Sequence, residues 1–220
     1  MKSLHIRIRL LSAIAAAFAA VVLMACGGSA TRTGSSGPTP AERARADSTN
    51  WPYTKADIDF MSGMIHHHAQ AIAMAELAPK NDASPAVRTL SARIINAQTD
   101  EITIMQQWLR ERNQPVPVPN PKGMRMVMNG VEHDMLMPGM LSETQMKELA
   151  AARGKEFDRL MLTLMIQHHE GAIKMVKDLI SAAGAAQDET VFKIASDISA
   201  DQEIEIARMR TILFNMANTP

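Results

Sequence analysis

Imidazole and thioether side chains recur together along this chain. Met64-Ile65-His66-His67-His68-Ala69-Gln70-Ala71-Ile72-Ala73-Met74 and Met165-Ile166-Gln167-His168-His169-Glu170-Gly171-Ala172-Ile173-Lys174-Met175 are identical at 7 of 11 positions, at an offset of 101. Met64 and Met74 flank His67, and Met165 and Met175 flank His168 in the same way. At helical spacing these side chains share a face, so thioether, imidazole and thioether follow one another twice. Thioether sulfur suits copper(I), and imidazole accepts copper in either oxidation state. Successive helical residues are roughly 100° apart, so His67 and His68 point in different directions, as do His168 and His169. One of each pair is expected to face the core and the other to line a flank, beside Met61 in the first copy, or an adjoining helix.

A second pair of matched segments follows the first. Gln98, Glu101, Ile102, Met105 and Leu109 recur as Gln202, Glu205, Ile206, Met209 and Leu213, at an offset of 104. Two matches in the same order at nearly the same offset mark an internal duplication. Between the copies lies a soft-donor run. Met124, Met126 and Met128 alternate, and His133, Met135, Met137 and Met140 follow. In an extended segment, alternate side chains share one side, giving a second candidate array. The same residues also admit a plainer account: Glu101 and Glu205 hold the histidines by hydrogen bonds, and methionine fills the core or covers it.

The elements that position these groups follow from periodicity. Phe60, Met64, His67, Ala71 and Met74 form a stripe at steps of 4 and 3, as do Phe157, Met161, Leu164, His168, Ala172, Met175 and Leu179. Ile94, Gln98, Glu101, Met105 and Trp108 make a third stripe, and Ile198, Gln202, Glu205, Met209 and Ile212 a fourth. Helices are expected over about 54–78, 85–112, 155–183 and 188–216, with a shorter one over about 143–152. Ser84 before Pro85 reads as an N-cap with proline at the first helical position. No stretch alternates long enough to predict a sheet. The expected fold is all-α: a four-helix bundle made of two duplicated hairpins, 54–112 and 155–216, joined by a Met- and Pro-rich crossover, 113–141. Pro115, Pro117, Pro119 and Pro121 keep the start of that crossover extended.

Composition narrows the partners. The 220 residues carry 23 Lys+Arg against 23 Asp+Glu, and only 5 Phe, 2 Trp and 1 Tyr, which argues against nucleic-acid binding. A lone cysteine excludes a disulfide framework or multi-cysteine metal site. No nucleophile motif, phosphate loop or nucleotide fingerprint is present, and no organic cofactor is expected. Residues 1–25 read as an export signal: Lys2, Arg7 and Arg9, then an apolar run from Leu10 to Leu23. Leu23-Met24-Ala25-Cys26 resembles a bacterial lipobox, which implies cleavage before Cys26 and lipid attachment to it. Residues 26–53, rich in Gly, Ser, Thr, Pro and Ala, are expected to form a flexible tether to the folded domain at 54–220.

The duplicated Met-Ile-x-His-His-x-x-Ala-Ile-x-Met unit, Glu156-Phe157-Asp158 before its second copy, and Met137-Pro138-Gly139-Met140 resemble the domain-of-unknown-function family 305. That bacterial, ferritin-like helical family includes copper-binding periplasmic proteins of the CopM type. The resemblance spans about residues 54–216 and implies copper binding in the cell envelope. The reading it supports is a lipid-anchored protein on the periplasmic or extracellular side that sequesters or transfers copper(I) or copper(II). Its expected metal ligands are His67, His68, His168, His169, Met64, Met74, Met165 and Met175. Accessory candidates are His66, His133, Met124, Met126, Met128, Met135, Met137, Met140, Glu101 and Glu205. A copper-transfer partner or a homo-oligomer fits this reading. The alternatives are a ferritin-like metal-dependent oxidase, which lacks support because the chain has no Glu-x-x-His motif, and a metal-free structural or interaction bundle. An enzyme is the less favoured reading.

Cys26→Ser is expected to release the protein from membranes or leave it unprocessed without unfolding residues 54–216, as read by membrane fractionation and circular dichroism. Unchanged membrane attachment would exclude the lipid anchor.

Overall fold

A computed structural model of the chain describes residues 37–39, 42, 43, 46, 52–128 and 130–218. The expected signal at residues 1–25, Cys26 and most of the tether lie outside the described residues. The described chain is mostly helical. Helix α1 spans Lys55–Ala75, α2 Pro85–Glu111, α3 Glu143–Ala151, α4 Gly154–Ser181 and α5 Glu189–Asn218, with a 3-10 turn at Ala78–Lys80. Each falls within a few residues of the span its apolar periodicity predicts. Among the described residues no helix is long and apolar enough to cross a membrane.

Caps account for where the helices start. Thr54 and Asp57 form a reciprocal capping box on α1, and Ser142 and Gln145 do the same on α3. Ser84 caps α2 with Pro85 at its first position. Two buried carboxylates then brace the helix pairs against each other. Asp57 Oδ1 accepts the Ala186 N–H at 2.7 Å, and Asp158 Oδ1 accepts the Ser84 N–H at 3.1 Å. Asp57 and Asp158 stand at the same offset of 101 as the histidines. Each helix pair therefore fastens the turn of the other.

Helix α1 packs mainly on α2 and α4 on α5, and the two pairs meet chiefly through α1 and α4. Two apolar clusters fill the interior. One includes Met74, Val87, Ile94, Phe157, Met165 and Met209. The other includes Phe60, Met64, Met105, Trp108, Val176 and Ile198. All four long helices contribute to both clusters. Between the two contributions each helix carries buried polar residues: His67 and His68, Gln98, His168 and His169, and Gln202.

The expectation of no sheet needs correction. Met124–Met128 and Val131–Met135 pair as antiparallel strands β1 and β2. Sequence periodicity undervalued them because both strands carry charged residues and neither has a buried apolar face. The turn chemistry was the available signal: Asn129-Gly130 separates the strands, and Gly130 has φ +77°.

The connection is pinned to α1 at both ends of this hairpin. Gln70 Nε2 donates to Pro121 O at 2.9 Å and to Leu141 O at 3.0 Å, and its Oε1 accepts the Leu141 N–H at 2.6 Å. The segment Met137–Met140 then lies against α4 so closely that a Cβ on Gly171 would overlap the Pro138 carbonyl. Gly139 also has φ +77°, and a Cβ there would sit 2.6 Å from Gln167 O. Gly171→Ala is therefore expected to cost about 1–3 kcal/mol through overpacking, read as a lower urea midpoint. Gly63→Ala is the control: its Cβ would meet nothing nearer than Met175 Cε at 3.5 Å, so better helix propensity should raise its midpoint slightly, by about 0.5–1 kcal/mol of stability.

Candidate metal centre

The matched histidines meet where α1 crosses α4. The His67 and His168 rings lie with centroids 3.9 Å apart and planes at 44°. All of His67, His68, His168 and His169 are fully buried. The expected division holds in its adjoining-helix form, with all four rings interior: one histidine of each pair faces the core and the other faces an adjoining helix. His67 and His168 face each other. His68 and His169 reach the second helix of their own pairs, where the glutamates stand.

Ring by ring, the partners set the tautomers. His67 Nε2 lies 3.0 Å from Pro138 O. A carbonyl only accepts, so Nε2 carries the proton and Nδ1 presents its lone pair. His169 Nε2 is hydrogen-bonded to Glu205 Oε2 at 2.7 Å. His68 Nε2 stands at the same 2.7 Å from Glu101 Oε2, off the line of an ideal hydrogen bond. Three of the four imidazoles thus turn Nε2 toward a carbonyl or carboxylate. The Nδ1 atoms of all four, and Nε2 of both His68 and His168, are buried without a hydrogen-bond partner. Gln98 lacks partners on both amide atoms, and Gln202 on its oxygen.

Burial keeps the central rings neutral. It pushes His67 down to about 3, helped by the neighbouring His68, and it holds His168 well below the usual imidazole range. Against an unperturbed value of about 6.5, protons do not compete for these nitrogens near neutral pH. The rings therefore rest in the form that binds metal.

The flanking sulfurs are arranged symmetrically. Met64 lies in one apolar cluster with Met175 packed against it, and Met74 and Met165 lie in the other. Met64, Met74 and Met165 are buried and Met175 is half-buried. Among the described residues no three His, Cys, Asp or Glu side chains converge as a ready metal site. An ion in this layer must therefore draw on thioether as well as imidazole, or shift the rings. Imidazole nitrogen and thioether sulfur together are a donor set suited to copper(I).

The accessory candidates divide into separate places. Glu101 and Glu205, with Asp201, Gln98 and Gln202, line a cavity of about 150 Å³ between α2 and α5. The Asp201 carboxyl there is raised above its usual range by burial and by the nearby Glu101 and Glu205 charges. Arg93 lines the same opening, which gives solvent access to Glu101 and Glu205, the carboxylates beside His68 and His169. His66 lies apart, its Nδ1 accepting the Asn120 N–H at 3.2 Å, and burial lowers its pKa. Met137 and Met140 are buried, with the Met137 N–H donated to Met140 Sδ at 3.4 Å. Met124, Met126, Met128, His133 and Met135 belong to the hairpin. The Pro138 carbonyl, which orients His67, has no sequence signal as a backbone group. The adjacent Met-Pro-Gly-Met motif was the only hint.

Stability of the metal-free protein should report this neutrality. Below pH 6.5 the unfolded chain takes up protons that folded His67 and His168 refuse, so stability present at pH 7 is lost as the pH falls toward 3. With its folded value near 3, His67 should remove about 1.5 kcal/mol between pH 6.5 and 5, and His168 should act in the same direction. Urea unfolding across this range should show the loss, and His67→Gln should flatten it. An unchanged slope in that variant would contradict the assignment.

Comparison with known proteins places this geometry. No curated protein matches the chain. A DUF305 protein from Streptomyces coelicolor, described as a candidate secreted protein, is 28% identical over 74% of this chain and 94% of its own, with a TM-score of 0.61. A DUF305 fragment from Deinococcus radiodurans is 26% identical over 74% of this chain and 98% of its own, with a TM-score of 0.60. CopM in its Cu(I)-bound form is 28% identical over 72% of this chain and 96% of its own, with a TM-score of 0.55. The family model for DUF305, a domain of unknown function, matches residues 57–213, and the chain belongs to that family.

Proposed function

We propose that this protein is a lipid-anchored, extracytoplasmic copper-binding protein that sequesters or transfers copper. Copper binds between α1 and α4, its ligands drawn from Nδ1 of the buried histidines and from the sulfurs of Met64, Met74, Met165 and Met175; Met64 and Met74 stand about 15 Å apart along one helix and lie in different apolar clusters, so they serve different ions. The fold in this reading is a ferritin-like four-helix bundle of two duplicated hairpins, residues 54–112 and 155–216. The bundle occupies 54–220 and hangs from Cys26 by the tether at 26–53, after removal of residues 1–25.

One observation carries the reading. His67, His68 and His169 each direct Nε2 at an oxygen acceptor while burying a bare Nδ1. A metal-ligating histidine typically donates its other ring N–H to a carbonyl or carboxylate, which fixes the tautomer and raises ligand basicity. Glu101 and Glu205 serve here as such orienting groups rather than as ligands. CopM gives support at family level, having been crystallised with Cu(I), Cu(II) and silver. Ligand exchange of this kind requires soft donors and no general base.

Replacing His67, His68, His168 and His169 with Ala should abolish most copper(II) binding while leaving part of the copper(I) binding. Competition titration against a chelator of known affinity reads both. Copper(II) binding equal to that of the unaltered protein would exclude the histidine layer.

A further inference from the structure

The hairpin joins residues from opposite ends of the Met-rich run into one surface. In its register Met124 pairs with Met135 and Met126 with His133. Directly paired residues on antiparallel strands project to the same face, with Cβ atoms about 4.5–5.5 Å apart. Met124 and Met126, two residues apart on one strand, share that face as well. One face of the hairpin thus carries three thioethers and an imidazole as two adjacent cross-strand pairs. We infer that this face is a discrete binding site for a soft monovalent ion, copper(I) in the first instance, separate from the buried layer.

Two observations oppose reading these methionines as an apolar cover. Every residue of β2 is exposed, and Met126 and Met135 are 38% and 48% exposed, so they shield little from water. Met137 and Met140, only a few residues further on, are buried and belong to the core. The covering role ends where the hairpin begins.

The opposite face explains the selectivity. Arg125 pairs there with Glu132 at 3.3 Å and with Asp134 at 3.5 Å. Both acidic residues of the hairpin are engaged on that side, so the methionine face offers no carboxylate to a hard cation. Sulfur and imidazole without oxygen favour copper(I) over magnesium, calcium or manganese. Gln70 anchors the chain on both sides of the hairpin, so the strands project from a fixed base.

Met124 also connects the site inward. With Arg125, His66, Ser62 and Asn120 it lines an open depression of about 390 Å³ between the hairpin, the proline segment and α1. His66 adjoins His67 in sequence, and the second copy has Gln167 in its place. The inference rests on the copper reading and deepens it by adding an outer station in the crossover, beside His66 of the first copy.

The test uses the full chain carrying Cys26→Ser, so that the lone thiol does not compete. Copper(I) is titrated anaerobically against a colorimetric chelator, and the methionine methyl resonances are followed by NMR. One variant combines Met124→Leu, Met126→Leu, Met135→Leu and His133→Ala. A second combines His67→Gln and His168→Gln. The hairpin variant should lose one copper(I) equivalent and keep its helical circular dichroism. The core variant should retain that equivalent, with the Met126 methyl signal shifting as it fills. A hairpin variant that titrates like its parent, or a Met126 signal that does not move, overturns the site. If only the core variant titrates like its parent, the buried-layer reading fails and the hairpin site stands.

Discussion

The burial of four imidazoles where the helix pairs meet is the constraint that the rest of the structure serves. An imidazole out of water needs partners for its N–H and its lone pair, and each group left bare costs about 1–3 kcal/mol. Pro138 and Glu205 hydrogen-bond one nitrogen each on His67 and His169, and Glu101 lies 2.7 Å from Nε2 of His68 as an ion-pair partner without hydrogen-bond alignment. The facing nitrogens remain bare. The layer also divides the interior, since every long helix leaves one apolar cluster and joins the other across it. A hydrophobic substitute at these positions would merge the clusters at lower cost. The retained polar layer is therefore best understood through binding, and copper ions would engage the bare nitrogens and the flanking sulfurs together.

The crossover is fitted to that layer and is not a passive link. Its Pro138 carbonyl can orient His67 only because Gly171 leaves α4 open to the backbone at Gly139. The matched position on α1 is Gln70, whose amide holds the chain at Pro121 and Leu141. One duplicated position thus became a socket and the other a clamp. The same divergence appears at His66 and Gln167. His66 accepts from the proline segment, while Gln167 donates to Gly139 O at 3.2 Å. The two copies share a core but present different surfaces.

What could be read in the sequence was whatever repeats at a fixed period. The stripes around His67 and His168, the Ser84-Pro85 start and the matched Gln98 and Gln202 segments all announce helices, because 3.6-residue spacing and caps are local. The hairpin escaped because its alternation is of methionine with charge and valine, with no buried face to betray it. The core place of Met137 and Met140 escaped for the converse reason: nothing local separates them from Met135. Backbone groups such as Pro138 O, and close approaches such as Gly139 on Gly171, arise only when distant segments meet. Asp57 and Asp158 were within reach, since their offset equals that of the histidines. Their partners, the backbone N–H groups of Ala186 and Ser84, were not.

Electrostatics completes the argument for a cation in the buried layer. His67 and His168 are neutral there, so an incoming ion finds no counter-charge on the central rings themselves. An uncompensated charge at such depth costs several kcal/mol. Glu101 and Glu205 supply the counter-charge one ring away, through His68 and His169, while their outer edges face the acidic opening between α2 and α5. The carboxylates can thus attract a cation at the surface and offset its charge inside without entering its coordination shell. A monovalent ion draws less on that compensation than a divalent one. Under the proposed copper reading the two places differ: the buried layer has carboxylate counter-charge one ring away, whereas the methionine face of the hairpin has sulfur and imidazole without carboxylate and suits copper(I).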